Sequence, residues 1–317
     1  MVDVSTTFRP EPASMLSPAE RLRLLMERLE DDPLLFQQDS LSERLLAMDE
    51  IDALVGGCAF AEIEARALAL QNRLESANAE LYRSLRSEIR CGRKQTIRRW
   101  LDELDPERQN ILPRPGLGFD ARDDFMASIF QHSDPGNVSS PGSREMIAYQ
   151  PTPVRHVLHL LKSVTLSAND LFVDLGSGMG HVPLMMAMLG GVRSLGIEIE
   201  PAYVTNAERC ARTLQLEDAS FVAADARDAD FSEGTIFYLY SPFTGSILDQ
   251  VLDSLRKQSL LRPIKVCSLG PCTCHLAKEG WLKVSGPLNP NSITLFESRC
   301  GCQQPESDVA RLDSPTS

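Results

Sequence analysis

The sequence predicts an α/β protein, a doubly wound and largely parallel sheet preceded by an N-terminal helical region. Three observations carry that expectation. Apolar runs at 171–175, 194–198, 220–223, 235–240 and 264–269 have the length and character of buried parallel strands. The first is followed by Gly176, Gly178 and Gly180, and then by an apolar run, 182–189, suited to a helix covering a sheet. The first hundred or so residues instead repeat apolar side chains three and four apart, the helical period.

With 317 residues, 43% hydrophobic and 24% charged, the chain can bury a full core and divide into parts. The expected division is a helical region over 1–132, a linker over 133–144, an α/β domain over 145–302 and a disordered tail over 303–317. The linker is read from SDPGNVSSPGS, which is rich in turn formers.

Each element has its own signal. Ser17-Pro18-Ala19-Glu20 is a capping box with proline at the first helical position, and Leu22, Leu25, Met26 and Leu29 share one face before Pro33 ends the helix. Ser40-Leu41-Ser42-Glu43 repeats the start signal, with Leu41, Leu45, Met48, Asp52 and Val55 at helical spacing up to Gly56-Gly57. A longer helix follows over about 60–89, where Ile63, Ala67, Leu70, Leu74, Ala77 and Leu81 form a seam. That seam suits either a hairpin within the chain or a homodimer through the N-terminal helices. Arg90, Arg93, Lys94, Arg98 and Arg99 then make a basic cluster, read as a solvated helix face or a contact for an acidic partner or nucleic acid.

After the linker, Pro151 and Pro153 hold the chain extended, so the stretch around Tyr149 is expected to lie as a lid across the open end of the sheet. Helices are expected between the first five strands. Two further runs, 281–285 and 293–297, are joined through Pro287, Asn289 and Pro290 and read as a hairpin.

The glycine turn and Glu198, which closes the second strand twenty residues after Gly178, describe a nucleoside pocket. Glycines let the backbone approach a ligand, and a carboxylate at the end of the second strand accepts hydrogen bonds from vicinal ribose hydroxyls. A dinucleotide fingerprint would require glycine at position 181, where the chain has His181. Asp174, two residues before the first glycine, suits the ammonium of an amino-acid moiety, which a pyrophosphate lacks. The ligand read from these residues is S-adenosyl-L-methionine.

Asp174 to Gly180, Glu198 and Asp225 resemble the motifs of the class I S-adenosylmethionine-dependent methyltransferases. The resemblance implies a seven-stranded, Rossmann-like methyltransferase sheet, with Asp174, Gly176, Ser177, Gly178 and Gly180 at the methionine end. It places Glu198 on the ribose, and Asp225 with its neighbour Ala226 at the adenine. Tyr149-Gln150-Pro151, the run from Asp170 to Gly178 and Gly196-Ile197-Glu198 are similar to the disruptor-of-telomeric-silencing family of non-SET histone-lysine methyltransferases. That likeness covers about a third of the chain, and it departs at Tyr240-Ser241-Pro242-Phe243, where the family has an Asn-Asn-Phe tip.

Methyl transfer from a sulfonium chiefly requires that nucleophile and methyl be held at attack distance. Tyr149, Tyr240 and Ser241 are the candidate catalytic residues, placed to orient an acceptor nitrogen. The acceptor is expected to be an amine on a protein, with a small-metabolite acceptor and a non-catalytic scaffold as the alternatives. The formal charge of −12 disfavours nucleic acid and favours a basic partner. No run is long and apolar enough for a membrane span, no secretory signal opens the chain, and a cytoplasmic location is the expectation. Cys267, Cys272, Cys274, His275, Cys300 and Cys302 lack the paired C-x-x-C spacing of zinc sites, so no metal is expected and the thiols are read as free or buried.

Overall fold

The computed structural model describes residues 16–56, 60–108, 118–136 and 143–299. Gly57, Cys58, most of the linker, Cys300, Cys302 and the tail lie outside the described residues. The chain falls into two compact units, one holding the residues up to Ser87 with Asp102–Leu104, the other Glu88–Leu101 and the residues from Asp105 on.

The first unit contains α1 (Pro18–Glu30), a short 3-10 turn (Pro33–Phe36), α2 (Leu41–Val55) and most of α3 (Ala61–Arg90). The capping box forms as read: Ser17 Oγ accepts the Glu20 N–H at 3.3 Å and the Glu20 carboxylate accepts the Ser17 N–H at 2.9 Å. Leu22, Leu25, Met26 and Leu29 are all buried. On α2 the buried face differs from the expected stripe. It consists of Leu41, Arg44, Ala47 and Ile51, while Leu45, Met48 and Val55 are only partly covered. Asp52 therefore interrupts no core; it is exposed and accepts from Gln71 Nε2 at 2.6 Å. The chain tolerates Arg44 in the interior because Asn78 Oδ1 and the Leu35 carbonyl accept from it, at 2.6 and 3.0 Å. Ala67, Leu70 and Leu74 of the α3 seam pack in one core with α1 and α2.

The second unit is built on a seven-stranded sheet of order β3-β2-β1-β4-β5-β7-β6. Its strands are β1 (Leu171–Leu175), β2 (Arg193–Glu198), β3 (Ala219–Ala223), β4 (Ile236–Tyr240), β5 (Lys265–Leu269), β6 (Leu282–Ser285) and β7 (Thr294–Ser298). β1 to β5 pair in parallel, and the expected hairpin of β6 and β7 closes the sheet antiparallel against β5. The fold is the doubly wound, Rossmann-like sheet that the sequence predicts. Asp174 on β1 stands opposite Gly196 on β2 and Tyr238 on β4, so it sits where strand order reverses and ligands enter open α/β sheets.

The helices around this sheet are α4 (Gln95–Glu103), α5 (Ala121–Phe130), α6 (Val154–Ser163), α7 (His181–Met185), α8 (Pro201–Leu214), α9 (Gly245–Ser259) and α10 (Cys272–Leu276). Two expectations change. Between β3 and β4 the chain forms turns and no helix. Asp225 and Asp230 there accept the backbone N–H groups of Arg227 and Ser232, at 2.9 and 2.8 Å, which draws the backbone into local turns. Arg262 then fastens the segment through the Phe231 and Gly234 carbonyls, at 2.6 and 2.7 Å. The helix after the glycine turn is α-helical only to Met185 and continues as a π turn over Met186–Gly190. Part of the basic cluster is spent there: Lys94 Nζ and Arg98 Nη2 donate to the carbonyls of Ala187 and Leu189 at 3.4 and 3.2 Å, meeting the negative end of the helix. No helix among the described residues is long and apolar enough to cross a membrane.

Candidate active site

The turn after β1 is a glycine structure by necessity. Gly176, Gly178 and Gly180 all have positive φ, at 85°, 52° and 82°. A Cβ on Gly176 would overlap the Pro242 ring, and one on Gly178 would overlap the ring of Tyr149. The Gly176 and Ser177 N–H groups donate to the Ile197 carbonyl at 2.9 and 3.0 Å, so the turn is welded to β2.

A cavity of about 650 Å³ opens above this turn. Tyr149, Asp174, Gly176, Ser177, Glu198, Asp225, Ala226, Tyr240 and Ser241 all line it. Gly178 and Gly180 are outside the lining and shape the turn beneath. Asp174 is 3% exposed, and burial first, with Glu198 second, raises its carboxyl well above the ordinary range. No lysine or arginine is among the lining residues to neutralise it. Glu198 ends β2 with both oxygens engaged: Oε2 accepts the Gly178 N–H at 2.8 Å and Oε1 the Glu200 N–H at 3.0 Å.

Three expected residues are already occupied. Asp225 lies in the wall, but Arg227 grips its carboxylate at both oxygens, at 3.0 and 2.7 Å, and holds it below the usual carboxylate range. Ser241 is a non-glycine residue with φ of +42°; its hydroxyl donates to the Leu269 carbonyl at 3.1 Å and accepts the Cys272 N–H at 3.0 Å. The Tyr149 hydroxyl bonds to His181 Nδ1 at 3.0 Å. By contrast the Tyr240 and Ser177 hydroxyls are buried and have no hydrogen-bond partner among the described residues.

The lid is rooted in the tip after β4. Ile147 N–H donates to the Pro242 carbonyl at 3.0 Å, Thr244 N–H to the Glu145 carbonyl at 2.8 Å, and Met146 pairs with Phe243 as an isolated antiparallel bridge. The Glu145 carboxylate accepts from Ser246 Oγ and the Ile247 N–H at the head of α9, at 2.8 and 3.1 Å, where the helix dipole favours an anion.

Sequence reading missed Glu145, Tyr203 and two histidines. His181 had been legible only as an exclusion of the dinucleotide fingerprint. In the fold it packs against His132, the rings tilted at 43° with centroids 4.2 Å apart, and burial pushes the two imidazoles down to about 3 and about 4. His132 sits outside any motif, 49 residues upstream of His181, and only the tertiary fold brings the pair together.

The site suits the donor. A buried carboxylate without a basic neighbour, an unpartnered hydroxyl at Ser177 and a backbone cradle closed to any side chain fit a cationic amino-acid nucleoside. Residues 141–235 match the family model of the histone methylation protein DOT1. No curated protein matches the sequence. Among solved structures, an RNA methyltransferase from Salinibacter ruber in complex with S-adenosyl-L-homocysteine is 26% identical, covering 50% of this chain and 98% of that one with a TM-score of 0.40. A precorrin-6y C5,15-methyltransferase from Geobacter metallireducens is 15% identical, covering 50% and 93% with a TM-score of 0.37. MtNAS in complex with MTA and tNA is 14% identical, covering 89% and 97% with a TM-score of 0.39.

In fold and site the chain resembles the class I S-adenosylmethionine-dependent methyltransferases, and its likeness to DOT1 is carried by residues 141–235.

Proposed function

We propose that the enzyme transfers the methyl group to an amine on a protein, a lysine-like acceptor, with residues 1–132 serving recognition. The observation that carries this reading is the charge of the cavity wall. Asp174, Glu198, Glu200 and Asp225 line it and no lysine or arginine does. Even with Asp225 paired to Arg227 and Asp174 protonated while the site is empty, a phosphate-bearing acceptor would find acidic side chains and no lysine or arginine in the lining, a wall that suits an ammonium better. The net charge of −12 extends the same preference to the whole molecule.

When bound, S-adenosylmethionine supplies a methyl group already activated by its sulfonium. Asp174 would hold the amino group at the methionine end, with Ser177 beside it, and Glu198 the ribose. The acceptor must lose a proton before attack, because a lysine near pKa 10.4 is charged at neutral pH. Apolar walls from Ile147, Phe243 and Ile247 strip water from the amine and lower that value, the proton leaving to solvent. Tyr240 is the residue to orient the neutral nitrogen: its unpartnered hydroxyl oxygen would accept one of the two remaining N–H groups and leave the lone pair toward the methyl. Ser241, with both hydrogen bonds spent on β5 and α10, fixes the tip that carries Tyr240, and Tyr149 acts as the lid.

Free thiols at Cys91, Cys210, Cys267, Cys272 and Cys274 suit a reducing, cytoplasmic compartment. A homodimer through the N-terminal helices would use faces other than the Ala67, Leu70 and Leu74 seam, which is engaged within the chain.

The test is incubation of the purified enzyme with methyl-labelled S-adenosylmethionine and fractionated cell extract. Label in protein, recovered as methyl-lysine after hydrolysis, is expected. Label confined to RNA or to small molecules would overturn the reading.

A further inference from the structure

We propose that His181 is a positioning residue, a neutral hydrogen-bond acceptor that latches the Tyr149 lid across the glycine turn. The proposal rests on the reading of this cavity as the donor site. Between its root at Ile147 and the start of α6, the lid is pinned by two side-chain bonds. Thr152 Oγ1 pairs with Tyr238 Oη at 3.0 Å, and Tyr149 Oη with His181 Nδ1 at 3.0 Å. The second bond decides where the Tyr149 ring lies. It brings the ring against Gly178, the residue whose N–H holds Glu198, and against Tyr203 with ring centroids 5.0 Å apart.

The imidazole is held for this task from behind. It packs at a tilt against His132, meets Phe130 edge-on at 5.8 Å, and stands at the first position of α7. His132 is fixed in turn, with Nδ1 at 3.4 Å from both Asn206 Oδ1 and Cys210 Sγ, while Asn206 Nδ2 donates to the Ser133 carbonyl at 2.7 Å. The latch thus runs from the lid through α7 to α8 and the segment after α5. With the phenol O–H as the donor, His181 Nδ1 is the acceptor. That assignment leaves Nδ1 unprotonated and the imidazole proton on Nε2. A glycine at position 181, which a dinucleotide fingerprint would supply, would leave the lid without this anchor.

The experiment uses the full chain and the variants Tyr149→Phe, His181→Gln, His181→Leu and the double variant Tyr149→Phe/His181→Leu. Hydrogen exchange of the amides over 147–152 is measured without ligand, and S-adenosyl-L-homocysteine affinity by calorimetry. Loss of one buried hydrogen bond is expected to raise lid exchange and weaken affinity by about three- to tenfold in Tyr149→Phe and in His181→Leu. The double variant should resemble either single one, because both remove the same bond. His181→Gln, whose amide oxygen accepts from Tyr149, should recover part of the loss. Additive effects, or lid exchange unchanged in Tyr149→Phe, would overturn the latch. A wild-type chain that binds no S-adenosyl-L-homocysteine would remove the donor reading, while the exchange measurement would still decide the latch.

Discussion

Glu198 Oε2 accepts the backbone N–H of Gly178 at 2.8 Å, across twenty residues of sequence. The carboxylate expected on the ribose and the glycine turn expected under the methionine end are therefore one mechanical unit. The same carboxylate orders the turn after β2 through the Glu200 N–H, so the turns after β1 and β2 meet at it.

Replacing Glu198 by Ala removes both the ribose acceptor and the tie to the turn. S-adenosyl-L-homocysteine affinity should fall by about tenfold or more, the scale of a hydrogen bond to a charged group. Calorimetry against the wild type checks this, and Glu198→Gln, which keeps one acceptor oxygen, should lose less.

Asp174→Asn should separate stability from binding. The Asp174 carboxyl is raised well above its ordinary 3.8, so the folded chain holds a proton that the unfolded chain releases. Its contribution is favourable below 3.8 and is lost as pH rises through the folded value. The ligand-free asparagine variant should then melt higher than the wild type near pH 8, by about 2–4 °C per kcal/mol recovered. Its affinity for the ammonium-bearing nucleoside should nevertheless fall. A variant with lower Tm and unchanged affinity would contradict both halves.

Gly178→Ala should abolish donor binding while leaving the sheet intact. The left-handed backbone costs a side-chain-bearing residue about 1–2 kcal/mol, and the new methyl displaces the Tyr149 ring. Circular dichroism should stay near wild type as calorimetric binding disappears.

Acid should destabilise the fold through its buried histidines. Burial pushes His132 and His156 down to about 4 and His181 to about 3, from an ordinary 6.5. Below 6.5 the unfolded chain takes up protons that the folded chain refuses, so stability is full above that value and falls toward about 4. Each group contributes a loss of about 2 kcal/mol at pH 5, with Asp174 acting in the opposite sense. Urea midpoints should drop between pH 7.5 and 5, less so in His156→Gln; a flat profile in the wild type would contradict this.

The strands were legible because each is a short apolar run bounded by turn residues, and the glycine turn because positive φ leaves few other residues eligible. The face of α2 was misread because a buried arginine counts as polar in any periodicity, and it takes Asn78 and the Leu35 and Gln37 carbonyls to make Arg44 an interior residue. The missing helix between β3 and β4 follows from aspartates that bond their own backbone. The expected site residues share one cavity or the turn beneath it, yet nothing in their spacing signals what already binds their hydroxyls and carboxylates. Arg227 on Asp225, Cys272 on Ser241 and His181 on Tyr149 are tertiary or turn contacts that spacing alone does not encode.

The most direct measurement is calorimetric titration of S-adenosyl-L-homocysteine into the purified, folded chain at neutral pH. A single site per chain, weakened in Glu198→Ala and Asp174→Asn, is the predicted result. Absence of binding to well-folded wild-type protein would contradict the account at its foundation.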